Sequence, residues 1–266
     1  MSRPVCGDYM SKPSNPAIRK AMIVLEALAA SREPQRFTDL MQSTGMAKAS
    51  LHRQLAVLQE ERLVSLDDES RTYQLGLRLL ALTYDSNGHH AIRRFADPEL
   101  QELSLATAET IHLAVLDGTE VVYVSKAEST QKVRMYSDVG LRAPVYCTGV
   151  GKALLAFRSA ADQRRIVERI DFQRFTDTTI TSAEALLAEL DLIRERGYAI
   201  DDGEHEEDIR CAAAPVLGQH GDSVAAISIS APAYRADAEL PAWVGLVQRA
   251  AGHVSDRVTA TSKMPL

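Results

Sequence analysis

Lys48, Ser50, His52 and Arg53 crowd two cations, a hydroxyl and an imidazole into six residues, a set able to donate to phosphate oxygens and base edges. Their neighbours decide where they point. Leu51, Leu55 and Leu58 recur at i, i+4 and i+7, the spacing of one buried helical face. At roughly 100° per residue, Ala49, His52, Arg53 and Ala56 lie opposite that stripe, with Lys48 and Ser50 in the first turn. The outward face of the N-terminal half is therefore small, hydroxylic and basic, while Glu60 and Glu61 fall at the far end. Such a helix can approach a major groove closely. A plain amphipathic helix has the same periodicity, so the flanking segments must discriminate. Upstream, FTDLMQST reads as a short helix ended by a tight turn at Gly45. Downstream, Val64 and Leu66 alternate with polar residues, Asp67 to Ser70 make a turn, and Arg71, Tyr73 and Leu75 alternate back. Residues 37–75 thus predict a helix-turn-helix followed by a basic-edged wing.

A second set of residues suits a small anion. In YCTGVGKALLA (146–156) two glycines sit at the mouth of an apolar helix, where free amides and the helix dipole favour negative charge. A nucleotide loop is excluded, because that pattern needs Gly at 146 and Ser or Thr at 153, where Tyr146 and Ala153 stand. Ser228 and Ser230 lie two apart in the apolar strand VAAISISA, so both hydroxyls share one face. Buried hydroxyls need partners, supplied either by backbone or by a ligand. In GYAIDDGEHEEDIRC (197–211), Asp201 follows the apolar YAI and is expected to face inward, whereas Glu204 to Glu207 read as a solvated loop.

These two chemistries sit in different parts of the chain. Residues 1–14 lack periodicity and read as a disordered tail. Asn15-Pro16 is a helix start, followed by a face of Ile18, Met22, Leu25 and Ala29, with Arg19 and Lys20 placed to meet a phosphate. Residues 15–76 form the predicted winged domain, 77–96 a linker helix broken at Asn87-Gly88, and 97–260 a mixed α+β domain with a mainly antiparallel sheet. Within the latter we expect a helix over 98–110, then a hairpin of IHLAVL and EVVYVSKA around Asp117-Gly118. A strand over 132–136 should follow, then helices near 150–158, 161–169 and 182–196. Strands at 209–217 and 223–231 and a helix over 237–258 complete the reading.

Composition bounds the rest. The chain has 266 residues, 45% of them hydrophobic, enough for two cored domains. Its apolar runs fall short of the ~20 residues of a membrane span, and no signal-peptide core is evident, so a cytoplasmic protein is expected. Cys6, Cys147 and Cys211 are too few and scattered for a disulfide framework or a paired-thiolate zinc site. The net charge of −6 is unevenly divided: residues 1–80 hold 11 basic and 9 acidic residues, and 81–266 hold 19 and 27. Only the small N-terminal part has the sign to meet phosphate.

From about Asn15 to the last helix the sequence resembles the IclR family of transcriptional regulators. The segments that carry the resemblance are GMAKASLHRQLAVLQEERLV, RTYQLGLRLLAL, HLAVLDGTEVVYV, APVYCTGVGKALLA, GYAIDDGEHEEDIRCAAAPV and AAISISAP, all in family order. The resemblance implies a winged helix-turn-helix domain, a linker helix and a GAF-like effector domain. It also implies dimers formed through the DNA-binding part, often paired into tetramers, and small organic acids as effectors. Carried onto this chain, it places an effector against the backbone of Gly149 and Val150 and the side chains of Asp201, Cys211, Ser228 and Ser230, with Met135 as a wall residue. Tyr146 stands where the family usually has His and is expected to reshape the pocket. Gly203 and Asp208 replace a frequent Glu and Gly and move the flexible point of the acidic loop, and Ala49 replaces a common Ser.

The function expected is a DNA-binding regulator, repressor or activator, responsive to an organic acid and acting on pseudo-palindromic double-stranded operator DNA as a homodimer or homotetramer. Arg19, Lys48, Ser50, His52, Arg53 and Arg71 are the expected DNA contacts; no cofactor, metal or membrane is implied. Two other readings compete. One is an enzyme on a small carboxylate with Cys211 as nucleophile and His205 as base, opposed by the apolar CAAAPV run, which raises a thiol pKa. The other is a metal sensor built on His205, Cys211 and the acids.

Overall fold

The structure is a computed structural model describing residues 15–31, 33–84, 89–132, 135 and 137–261. The expected tail, the Asn87-Gly88 break and residues 133, 134 and 136 of the expected strand lie outside these. The chain divides into two compact units, residues 6–87 and, in the main, 88–266.

In the first unit three helices enclose one apolar core. α1 (Pro16–Ala30) starts at Asn15, whose side chain accepts the Ala17 amide. α2 (Phe37–Thr44) ends at Gly45, which takes φ +63°, a left-handed turn natural for glycine. α3 (Lys48–Glu60) buries Leu51, Leu55 and Leu58 as its periodicity predicts. α1 departs from expectation: it buries Val24 and Leu28, while Ile18 and Met22 are 63% and 47% exposed and Ala29 is exposed. The helix is apolar on more than one side, and packing against α2 and α3 selects the Val24–Leu28 side.

The wing has three strands rather than two. β2 (Val64–Asp67) and β3 (Thr72–Leu75) pair antiparallel as expected, and the two-residue β1 (Gln35–Arg36) adds to the other edge of β3. Asp67 shapes the turn by accepting the Glu69 and Ser70 amides at 3.0 and 2.7 Å. Gly76 closes the wing where a Cβ would lie 2.1 Å from the Arg62 carbonyl oxygen, so only glycine fits. α4 (Arg78–Tyr84) follows.

The second unit is a six-stranded antiparallel sheet with helices on both faces. α5 (His89–Thr107) leads to β4 (Thr110–Asp117), β5 (Glu120–Ala127) and β6 (Arg142–Pro144). A 3-10 turn (Val145–Cys147) then opens α6 (Gly149–Ala156), with α7 (Ala160–Val167) and α8 (Ala183–Arg196) after it. β7 (Ala199–Asp202), β8 (Ile209–Leu217), β9 (Ser223–Pro232) and α9 (Ala233–Thr261) complete the fold, in the spatial order β6-β5-β4-β9-β8-β7. Alternation along the strands sends Ile111, Leu113, Ala212, Ala214, Ile227 and Ile229 to the face covered by α5 and α9. The other face, with Ala114, Ala213, Ala226 and Ala199, is covered by α6, α7 and α8.

Some elements differ from the sequence reading. α5 runs through Pro98 instead of starting there, and α9 begins at Ala233 rather than at 237. Ile92, Ala96, Leu100 and Leu103 form an unbroken stripe across Pro98, and that burial outweighs the lost backbone bond. Lys132 and Met135 are not in a strand; the sheet edge is β6, too short to show a pattern.

Leu55 is 1% exposed at the centre of the first core. Leu55→Ala is expected to destabilise that unit by ~2–5 kcal/mol through the cavity it leaves. Thermal or urea unfolding followed by circular dichroism measures this, and a loss under 1 kcal/mol would contradict the packing described.

Candidate functional site

On α3 the structure leaves Lys48, His52 and Arg53 exposed and Ser50 half-buried, all in the first two turns. The His52 ring stacks on Phe37 at the start of α2, with centroids 4.2 Å apart. That contact, invisible to helical periodicity, fixes the imidazole at the junction of the two helices. Arg19 is exposed on the first turn of α1. Arg71 stands at the wing tip with φ +55°, exposed and 3.3 Å from Asp68.

In the second unit, strand register builds the other site. Thr110, Ser230, Cys211 and Asp201 are successive partners across β4, β9, β8 and β7 and form one row. His112, Ser228, Ala213 and Ala199 form the next row on the same face. Four sequence-distant polar groups are thus neighbours because they share a parity and a register. The start of α6 lands on these rows: a Cβ built on Gly149 would lie 3.3 Å from the Ala213 Cβ, 3.4 Å from that of Cys211 and 3.7 Å from that of Asp201. Gly151 is the stricter glycine, since its Cβ would sit 2.3 Å from the Val145 carbonyl oxygen.

Thr148 caps α6. Its hydroxyl donates to the Pro144 carbonyl at 2.9 Å and accepts the Gly151 amide at 3.3 Å. Of the first three amides of the helix this uses one; those of Gly149 and Val150 have no intrahelical partner, as at any helix start. Both residues line a cavity of about 40 Å³, with Asp201, Cys211, Ser228, Ser230 and Met135. All seven residues expected at an effector site therefore come together. Tyr123, Thr148, His205, Glu206 and Ile209 complete the lining. Thr148 was findable as a hydroxyl residue preceding a helix; Tyr123 and Ile209 carry no such signal.

The serines are satisfied by neither of the expected alternatives alone. Their hydroxyls lie 3.3 Å apart, and Ser230 Oγ is 3.4 Å from Nδ1 of His112, whose Nε2 is 2.8 Å from Ser137 Oγ. His112 is buried in the neighbouring row, and burial holds it neutral, its pKa pulled down to about 3. A lone histidine in an apolar strand gave no hint of this role. The acidic loop also differs from expectation. Glu204 is buried and ion-paired with the buried Lys152 of α6, while Glu206 and Glu207 are exposed as a solvated loop would be. Asp201 faces inward; its Oδ1 accepts the Glu204 amide at 2.8 Å, and burial raises its pKa to about 7.

Residues 17–68 match the IclR helix-turn-helix domain and residues 85–256 the bacterial transcriptional regulator IclR C-terminal domain. The chain belongs to the IclR family of transcriptional regulators. It is 39% identical over 240 residues to the HTH-type transcriptional regulator KdgR of Escherichia coli K12, spanning 90% of this chain and 91% of that one. It resembles the crystal structure of the Thermotoga maritima IclR with a TM-score of 0.75 and 27% identity, covering 91% and 98% of the two chains. An IclR homolog from Microbacterium hydrocarbonoxydans, complexed with 4-hydroxybenzoate, shares the fold with a TM-score of 0.76 and 22% identity over 91% and 98%.

As an IclR protein this chain is a DNA-binding transcriptional regulator, and its relatives are regulators rather than enzymes. Cys211 fits that role poorly as a nucleophile, because burial and the nearby Asp201 push its thiol well above the usual range. Among the described residues no group of three or more His, Cys, Asp or Glu side chains is arranged to hold a metal. No helix among them is long and apolar enough to cross a membrane. Tyr146, the departure expected to reshape the pocket, does not line it. Its hydroxyl donates to the Gln173 carbonyl and accepts the Gln173 amide, each at 2.8 Å, and its ring packs on Phe172. Gly203 adopts φ +71°, where a Cβ would meet the Glu207 carbonyl oxygen at 2.7 Å, so this version of the acidic turn requires glycine.

The raised pKa of Asp201 has a stability consequence. The folded carboxyl titrates near 7 and an exposed one near 3.8, so the native state holds an extra proton between those values. Stability of this domain is therefore expected to fall as pH rises from about 4 to about 7 and to level off above. Asp201→Asn removes that component, so in urea melts the variant should gain stability relative to wild type across this window. A gap independent of pH would show that Asp201 titrates normally.

Proposed function

We propose that this regulator binds a small organic acid in the cavity at the mouth of α6 and that occupancy changes its affinity for operator DNA. The observation that carries the reading is the convergence of the Gly149 and Val150 amides with Ser228, Ser230 and Asp201 in one partly enclosed cavity. Helix-start amides and hydroxyls suit a carboxylate, and the apolar wall of Val150, Ile209 and Met135 suits its carbon skeleton. The homolog complexed with 4-hydroxybenzoate, itself an organic acid, agrees with that ligand class.

On the DNA side, Arg53, His52, Lys48 and Ser50 would enter the major groove, with Arg19 and Arg71 on phosphates. One recognition helix covers too few base pairs to find a promoter, so a homodimer or tetramer on a pseudo-palindromic operator in the cytoplasm is the natural working form. Arg53→Ala is expected to weaken operator binding by ~1–3 kcal/mol, about one to two orders of magnitude, with the fold unchanged. Electrophoretic mobility shifts on the protein's own promoter measure this; wild-type affinity would leave Arg53 a surface residue.

The effector reading is tested by Ser228→Ala with Ser230→Ala. A thermal-shift screen of carboxylic metabolites supplies the ligand, and operator affinity is then measured with and without it. The double variant is expected to bind operator like wild type without effector and to lose the effector's influence, typically a coupling of ~1–3 kcal/mol. An undiminished response would place the ligand elsewhere.

A further inference from the structure

An acid bound at the mouth of α6 meets an unusual charge balance. The described lining of the cavity contains neither lysine nor arginine. Lys152 of α6 is buried and committed to Glu204. Arg210 of β8 faces Asp202 at 2.5 Å and Asp237 at 3.7 Å. Asp201, 4% exposed, makes no ion pair among the described residues. Burial keeps the neighbouring Cys147, Cys211, Tyr123 and His205 in their uncharged forms at neutral pH. Lys152 and Glu204 cancel, so an ionised Asp201 would leave one buried negative charge uncompensated, and the exposed Glu206 at the rim adds another. A carboxylate held by the Gly149 amide would then sit beside it, since the Gly149 and Asp201 side-chain positions are only 3.7 Å apart. Two like charges that close and that dry cannot both persist.

We infer that an organic acid enters this cavity together with one proton, and that the proton resides on Asp201, which thereby becomes a hydrogen-bond donor to the ligand. The inference rests on the reading of the cavity as an organic-acid site and adds the form in which the site accepts the acid. Ligand-free Asp201 titrates near 7, so the protonated state is already well populated at neutral pH, and a bound anion draws the remainder toward it. Above that pH the site must first take a proton from solvent. Glu204 is the rival holder, as its Oε2 is buried without a protein partner and burial raises its pKa, but it is paired with Lys152 and does not line the cavity.

Acetate is a suitable probe, because a cavity of about 40 Å³ has room for a group of its size. Acetate is titrated into the full-length protein between pH 6 and 9, and binding is followed by the NMR signal of the Met135 methyl, assigned with Met135→Leu. Wild-type affinity is expected to be level up to about pH 7 and to weaken about tenfold per unit above it. Asp201→Asn should bind with no such slope, and Glu204→Gln should retain it. Calorimetry of the wild type in two buffers of different ionisation enthalpy should show proton uptake approaching one per acetate by pH 8. That measurement stands even if a variant fails to fold. PH-independent binding without proton uptake would overturn the inference and leave the acid site intact. A slope lost only in Glu204→Gln would move the proton off Asp201 and also overturn it. Absence of any acetate effect on Met135 at pH 6, where the proton is already in place, would overturn both the inference and the acid-site reading.

Discussion

The C-terminal domain depends on the register between β7, β8, β9 and β4. A slip of one residue in any of these pairings would turn a hydroxyl, thiol or carboxyl of the row Thr110–Ser230–Cys211–Asp201 to the opposite face, among the leucines and isoleucines under α5 and α9. Register is held by those same apolar residues, because a slip would also drive them onto the polar face. The alanines at 213, 226 and 199 then keep the inner face low enough for α6 to descend, and Gly149 and Gly151 remove the last atoms in its way.

Close approach by a helix start is also what creates polarity without lysine or arginine. Thr148 takes one of the three leading amides for itself, which fixes the helix and leaves the other two at the cavity. The Lys152–Glu204 pair one turn deeper fastens α6 to the acidic turn. A buried pair of this kind adds little net stability but is costly to break, so it specifies how the two elements meet. In the N-terminal unit the division of labour is simpler: Leu51, Leu55 and Leu58 hold α3 by one face and leave the opposite face to solvent.

Periodicity made much of this architecture legible. The i, i+4, i+7 leucines located α3, long apolar runs located β8 and β9, and serines two apart declared a shared face. Periodicity is blind to what lies on the neighbouring strand, which is why His112 beside Ser230 and Tyr123 on the cavity wall had no sequence signature. It also misjudged Glu204, because a run of acids suggests solvent and the buried cation lies 52 residues away. The helix start expected at Pro98 failed for a related reason. Local chemistry argued for a start at Pro98, and the long apolar stripe that α5 shares with α9 and the sheet prevailed. α1 went wrong in the opposite direction, since it offers more apolar surface than its own unit covers.

The acidic turn is held by a segment that never reaches the cavity lining. Thr176, Thr178 and Thr179 donate to the carbonyls of Asp202, Gly203 and Glu204 at 2.6–3.0 Å, Phe175 meets the His205 ring edge-on at 4.8 Å, and Tyr146 ties down Gln173. Residues 173–179 thus act as a mould for the rim on which His205 and Glu206 are carried. Substitutions in the mould can then reshape the rim while every residue that lines the cavity stays the same. A change in the shape of the cavity mouth need not begin at the cavity itself.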